Sequence, residues 1–479
     1  MVRQWLKDSV IYGATTIVTR GVAVVMLPFY TRLLTRGEYG AIDILTVVGS
    51  ILNILLTMEI AQGVARRFTD AETDEEKQAY ASTAWWFGVA LYSLFVIIGI
   101  LFANPIASLV LNSAEQAGLF RIACWAIALN GLFYLAQNQL RWQLMPSAFA
   151  SASLVYTVLA AVVSLALMAG FDMGIRGFFF GQMVAAVVAT TLSIAFARAY
   201  IGPRFDGAFL KRMLAFSAPL APASIAALAI GFVDRFLILK LMGVEANGLY
   251  SAAFRIGSLV LLAVAGAQSA VTPLIWSRYR DPDAPARIEP ILRAYAFGAL
   301  SLLLGLALFA QPIALLLTGP DFQACYPYAL PLAASLTIIS LTPFAPGLHL
   351  TNKTHLFALI NIAGAGLSAL LCYFLIGRFG LTGAAMGTLI ASTVSVSSLF
   401  VISQRYYPIP YRWGTLCAAL AVATVFGLVG RYFETLILDG WVLLAIRTLV
   451  LLFSVLVLAR LLVGEIRAGV TRIIAGRAG

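Results

Sequence analysis

The sequence predicts an all-α, polytopic membrane protein, and three observations carry that prediction. Of its 479 residues, 61% are hydrophobic and only 11% charged, with a mean hydropathy of +0.93. Soluble domains run at about 45–50% apolar and about 25% charged. Stretches of ~20 mostly apolar residues recur along the whole chain, each long enough at 1.5 Å per residue to cross a ~30 Å hydrocarbon core. The basic residues also alternate from loop to loop. With the N-terminus inside, one set of loops and the tail hold roughly 21 Lys and Arg and the opposite set roughly 7, which predicts that both termini are cytoplasmic.

Taken in order, the first six spans centre near residues 22, 53, 93, 130, 159 and 187. The charged opening "MVRQWLKDSV" has no small-residue cleavage site behind it and reads as interfacial rather than as a cleaved leader. The second span ends at "ARRF" (Ala65–Phe68), before the acidic loop "TDAETDEEKQ", and "QNQLRW" (Gln137–Trp142) closes the fourth. Its amides Gln137, Asn138 and Gln139 suit either sugar contacts or interhelical glue. The basic link "RAYIGPRFDGAFLKR" then leads to six more spans near 228, 262, 305, 340, 366 and 392, and a last pair near 422 and 452 makes about fourteen. Pro28, Pro219, Pro222, Pro273, Pro343 and Pro346 interrupt spans, where they can kink helices that face a cavity.

A weak internal repeat organises the chain. A shift of 208 residues sets "RLLTRGEYGAI" (Arg32–Ile42) on "KLMGVEANGLY" (Lys240–Tyr250), matching Arg32 with Lys240, Leu33 with Leu241 and Gly40 with Gly248. Each is a hairpin between two apolar spans. The expected organisation is therefore an N-lobe of six helices over residues 1–200, a basic cytoplasmic linker over 201–213 and a C-lobe of six over 214–405. Two extra helices and a basic tail fill 406–479. Parallel repeats of this kind are a transporter architecture, with substrate expected near the bilayer midplane.

Composition also excludes functions. The net charge of +11 is accounted for by topology and needs no nucleic acid. No loop is long enough to bury a core of its own, so no soluble catalytic domain hangs from the membrane body. "DPD" (Asp281–Asp283) sits in a short Pro-rich loop and reads as a turn. His349 and His355 lack zinc spacing, the four cysteines lack metal or disulfide spacing, and neither a phosphate-binding loop nor a hydrolase triad is present. We expect no enzyme activity, no metal and no cofactor. Without a nucleotide motif the energy source defaults to an ion gradient or the membrane potential.

The opening "DSVIYGATTIVTRGVAVVMLPFYTRLLTRGEYGAIDIL" resembles the N-terminal signature of the bacterial polysaccharide-biosynthesis flippases, the Wzx-type O-antigen and exopolysaccharide exporters. That family shares the MOP superfamily with the MATE multidrug exporters and the lipid II flippases. The similar elements are Ser9 and Gly13, "LPFYTRLLT" (Leu27–Thr35), "EYGAIDIL" (Glu38–Leu45), "ARRF", and later "GLYSAAFRI" (Gly248–Ile256). The resemblance implies a two-lobed, MATE-like transporter in the bacterial cytoplasmic membrane. It would move a polyprenyl-pyrophosphate-linked oligosaccharide to the outer leaflet for surface polysaccharide synthesis. Its implied partners are that glycan, membrane lipids and polymerase or assembly proteins, and the last two spans are implied as a groove for the polyprenyl tail. The alternative is an ion-coupled multidrug or cation antiporter, against which a cationic residue inside a span argues.

That residue is Arg20, in the middle of "TTIVTRGVAVVMLPFYTRLL" (Thr15–Leu34). An arginine at a helix centre costs about 2.5–3.5 kcal/mol on insertion scales and so should face protein or water. Two readings stay open: a guanidinium that grips pyrophosphate oxygens bidentately, or one that pairs with Glu59 or with carbonyls to hold helices together. Arg255 is a second candidate for substrate contact, although counting from the hairpin matches its depth to Asp234 and allows a salt bridge. Glu59, Asp43 and Asp234 are the candidates for ion coupling, with Asp43 equally suited to a structural role. Arg235 and Arg447 are expected to snorkel at the outer interface.

Overall fold

The computed structural model describes residues 2–261, 284–351, 353–434 and 440–464, and every regular element among them is helical. Eleven segments of these residues are long and apolar enough to cross a membrane. One of them, His355–Tyr406, has 52 residues and would be about 78 Å long as a single helix. It is not one. At Gly380 the backbone turns to φ 58°, ψ −136°, dividing it into helices over 354–379 and 381–406. Only a residue without Cβ adopts that conformation cheaply. Apolar side chains such as Leu101, Phe171 and Leu456 stand two-thirds or more exposed, as lipid-facing residues do.

The chain divides into two compact units. The first comprises 1–252 with 318–322 and 372–384, the second 253–317, 323–371 and 385–479. In the first unit α1 (Val2–Val25) runs into α2 (Leu27–Leu33), begun by Pro28 at a position where its missing N–H costs nothing. A capping box then starts α3 (Arg36–Thr57): Glu38 N–H donates to Thr35 Oγ1 at 3.3 Å while Thr35 N–H donates to Glu38 Oε2 at 3.0 Å. Met58 and Glu59 both take left-handed conformations (φ 48° and 54°), so the second span breaks there and resumes as α4 (Ile60–Asp70).

Thr73 caps α5 (Asp74–Leu101), whose first turn carries Asp74, Glu75 and Glu76 against the positive helix end. α6 (Ala103–Leu111), α7 (Ala117–Trp142), α8 (Pro146–Leu165) and α9 (Gly174–Phe196) follow. Contacts between them lean on small residues, as membrane helix pairs do. A Cβ on Gly181 would lie 2.2 Å from Ser164 Oγ and 2.4 Å from its backbone nitrogen. Gly181→Val is therefore expected to force α8 and α9 apart and to lower the melting temperature of the purified protein by several degrees. Asp206 caps the short α10 (Gly207–Ser217), which leads to α11 (Ala221–Met242). α12 (Val244–Gly257) begins in this unit.

The second unit contains α13 (Ala284–Leu317), α14 (Tyr326–Ile339), most of α15 (Thr354–Tyr406), α16 (Trp413–Glu434) and α17 (Gly440–Leu462). Ala419, Leu458 and Leu462 form a small core that packs Ala296, Phe297 and Leu300 of α13. The two last helices are thereby docked on α13.

Candidate functional site

Arg20 lies on α1 with its side chain exposed, and no hydrogen bond or ion pair reaches it among the described residues. Gly21 beside it has open space where a Cβ would project. The neighbouring hydroxyls are spent on their own helix, Thr16 donating to the Tyr12 carbonyl at 2.9 Å and Thr19 to that of Thr16 at 3.1 Å. The pairing of Arg20 with Glu59 does not form. Glu59 stands at the break between α3 and α4, half-buried, where its charge acts on the Tyr134 hydroxyl. Arg255 is half-buried on α12, with no hydrogen bond or ion pair to its guanidinium among the described residues.

The helices around Glu59 carry a neutral polar network. Tyr92 donates to Asn53, and the Tyr156 hydroxyl contacts Asn130 Oδ1 and, at 2.5 Å, Gln182 Oε1. Gln137 donates to Ser153 Oγ at 2.5 Å, Asn138 to the Tyr134 carbonyl at 2.9 Å and Gln139 to the Ala81 carbonyl at 3.3 Å. Gln137 and Gln139 bond across helices and Asn138 bonds its own, so the structure supports the glue reading for the two glutamines.

The densest charge cluster is elsewhere in the first unit. Asp43 Oδ2 and Arg235 Nε form an ion pair at 2.8 Å, with the two side chains 12% and 1% exposed. Arg235 Nη1 also donates to the Gly231 carbonyl at 3.0 Å, and its guanidinium lies over the Phe232 ring. Asp234 is as buried as Arg235; it accepts from the Tyr250 hydroxyl at 2.6 Å and from the Arg235 N–H at 2.9 Å.

This cluster exists because the two repeated hairpins pack on each other. A Cβ at Gly40 would lie 2.1 Å from the Val244 carbonyl oxygen and 2.9 Å from Gly248 N. One at Gly248 would lie 2.0 Å from the Arg36 carbonyl oxygen. The pair of glycines matched by the 208-residue shift thus forms a backbone-to-backbone contact, sealed by Asn247 Nδ2 on the Gly40 carbonyl at 3.2 Å. Further bonds flank it. Lys240 Nζ reaches Asn112 Oδ1 at 2.6 Å, and Gly319 N–H donates to Thr31 Oγ1 at 2.9 Å.

Arg235 corrects the sequence reading. It does not snorkel, and neither does Arg447, which is 5% exposed. The signal for the Asp43–Arg235 pair was present: each residue lies eight positions from its own hairpin turn, at Thr35 and Gly243. Depth counted across the repeat, rather than within the second hairpin, finds it. Arg293 and Glu289 belong to α13 and form a buried pair at 2.8 Å.

In the second unit an apolar cavity of about 810 Å³ opens among α13, α14, the second half of α15 and α16. Its lining runs from Leu303 and Leu420 to Tyr295, Gln404 and Trp413, with Cys417 on its wall. One end is closed by polar clasps. Gln404 binds the Ile409 backbone in both directions, at 2.7 and 3.0 Å, and the Tyr411 hydroxyl donates to the Phe344 carbonyl. Burial, together with the nearby Glu289 carboxylate, pushes the Tyr411 hydroxyl above its ordinary range, so that it stays a donor. Such a space suits a long hydrocarbon chain and offers little to a polar one.

Comparison with known proteins agrees with this architecture. A 407-residue stretch is 26% identical to the succinoglycan biosynthesis transport protein ExoT of Rhizobium meliloti (strain 1021), covering 82% of this chain and 76% of that protein. Lipid II flippase MurJ in an inward closed conformation superposes with a TM-score of 0.77 at 14% identity, over 95% of this chain and 99% of that one. A multidrug resistance MATE family transporter of the MOP superfamily, inward-facing, gives 0.68 at 15% identity over 81% and 94%. Those two likenesses establish a shared fold. Residues 29–327 match the family described as polysaccharide biosynthesis protein, and the chain belongs to that family.

Proposed function

We propose that this protein is a flippase that carries a polyprenyl-pyrophosphate-linked oligosaccharide across the bacterial cytoplasmic membrane during cell-surface polysaccharide synthesis. The observation that carries the reading is the family match over 29–327 in a chain made of membrane-spanning helices. The relative named as a succinoglycan biosynthesis transport protein supports transport as the step performed.

In this reading the chain spans the bilayer fourteen times. The eleven segments become twelve when His355–Tyr406 is divided at Gly380, and α11 and a span that begins with α12 supply two more. Both termini are cytoplasmic, residues 1–200 and 214–405 form lobes about the linker 201–213, and 406–479 are accessory. Arg20, exposed and without a bond among the described residues, binds the pyrophosphate, with Arg255 as a second cationic contact. Glu59, Asp43 and Asp234 are the acids available for ion coupling. The cavity against α16 takes part of the polyprenyl tail. Ala334→Phe, which fills that cavity, is expected to slow export severalfold while leaving the amount of protein in the membrane unchanged, as read by immunoblot beside the export assay.

The function is tested in a strain lacking this gene, with lipid-linked saccharide scored by its protection from an added glycosidase in spheroplasts. Accumulation of protected glycan, released by the wild-type gene, is the expected result. Unchanged glycan in a strain that still makes it, and has no second exporter, overturns the reading.

A further inference from the structure

We infer that Arg235 is a positioning residue that changes carboxylate partners during the transport cycle: Asp43 while the two hairpins are closed on each other, Asp234 once they part. The inference rests on the flippase reading only in assigning the cycle to transport; the exchange itself follows from the geometry of the cluster.

The hairpin contact is tight and polar. Backbone meets backbone at Gly40 and Gly248, and the Asp43–Arg235 pair, 2.8 Å apart and buried, links α3 of one hairpin to α11 of the other. A two-lobed transporter that gives alternate access to its two sides has to break such a contact once per cycle. Breaking this one would part a fully buried guanidinium from its ion-paired carboxylate, and separating a buried ion pair is costly.

Asp234 removes that penalty. It is adjacent in sequence, on the same helix as Arg235, and equally buried. It is held by the Tyr250 hydroxyl at 2.6 Å, from the other arm of the same hairpin. Asp234, Arg235 and Tyr250 can therefore move as one body while Asp43 leaves with α3. A second buried carboxylate next to Arg235 suits a contact that must open.

This mechanism makes the two aspartates act in opposite directions. Asp43→Asn removes the closed-state partner and favours open hairpins. Asp234→Asn removes the open-state partner and favours closed ones. A uniform structural role would move both variants the same way.

The probe is a disulfide. A Cβ at Gly37 lies 3.8 Å from Glu245 Cγ across the hairpin contact, within reach of the separation a disulfide needs. Gly37→Cys/Glu245→Cys is introduced into the full chain with exposed Cys417 changed to Ser. Oxidation rates are followed in native membranes by loss of maleimide labelling, without any substrate.

Cross-linking is expected to slow at least about fivefold with Asp43→Asn and to quicken by a similar factor with Asp234→Asn, whereas Asp43→Glu should stay near the parent rate. Shifts in the same direction, or no shift, overturn the inference. If Asp43→Asn fails to accumulate, Asp234→Asn decides alone, and a rate equal to or below the parent's overturns it. Export measured on the oxidised double-cysteine protein is a separate readout. Cross-linking that follows the expected pattern while glycan release is indifferent to the disulfide would overturn the assignment of the exchange to the transport cycle, whereas no release from the reduced protein either would refute the flippase reading.

Discussion

Arg20→Gln is expected to reduce release of lipid-linked glycan about a hundredfold while leaving the melting temperature and membrane level of the protein unchanged. The two halves of that expectation come from different observations. The side chain is exposed and makes no bond among the described residues, so its removal takes nothing from the fold. In the proposed complex it would supply two parallel charge-assisted hydrogen bonds to a pyrophosphate, and such bonds contribute about 1.5–3 kcal/mol each. Loss of one to two of them corresponds to roughly one to four orders of magnitude in rate. Arg20→Lys keeps the charge but loses the planar fork, and should fall between wild type and Gln. A fall in stability equal to the loss of export would instead return Arg20 to the scaffold, and full export by the Gln variant would remove it from the site.

The sequence made the transmembrane body legible because hydrocarbon imposes a length and a polarity that no soluble fold shares. Among the described residues, spans and hairpins could be placed to within a few residues, and the division at Gly380 matches the separate spans expected near 366 and 392; the span expected near 262, with Pro273, and the turn at Asp281–Asp283 lie outside the described residues. The hairpin repeat was legible too, down to the Gly40–Gly248 match, because close backbone approach tolerates no other residue at those two positions. Side-chain partnership was much less so. Arg235 looked like an interfacial arginine because a residue near a span end can either snorkel or turn inward, and hydropathy does not distinguish the two. What decides is whether a carboxylate stands at the same depth on a neighbouring helix, and that neighbour comes from the other half of the repeat. The Met58–Glu59 break was hidden for a related reason. Two consecutive left-handed residues that are neither Gly nor Asn leave no mark in a pattern of apolar side chains.

Arg235→Leu is expected to destabilise the protein more than any other single change in the first unit's charge cluster, by about 3–5 kcal/mol, the cost of leaving a buried partner uncompensated. The asymmetry of the cluster gives the prediction its content. Removing the arginine leaves two carboxylates, Asp43 and Asp234, which are 12% and 1% exposed, without their shared cation. Removing Asp43 leaves the arginine beside Asp234, so Asp43→Leu should cost about half as much. The double variant Asp43→Leu/Arg235→Leu should then be more stable than Arg235→Leu alone, because it withdraws one of the stranded charges and fills the space with apolar side chains. Thermal unfolding of the four proteins in one detergent closes the cycle. Equal costs for the two single variants would mean that Asp234 does not compensate Arg235, and the partner exchange would lose its physical basis. Additivity in the cycle would mean that the buried pair, for all its 2.8 Å separation, is not what holds the two hairpins together, leaving that role to the backbone contact at Gly40 and Gly248.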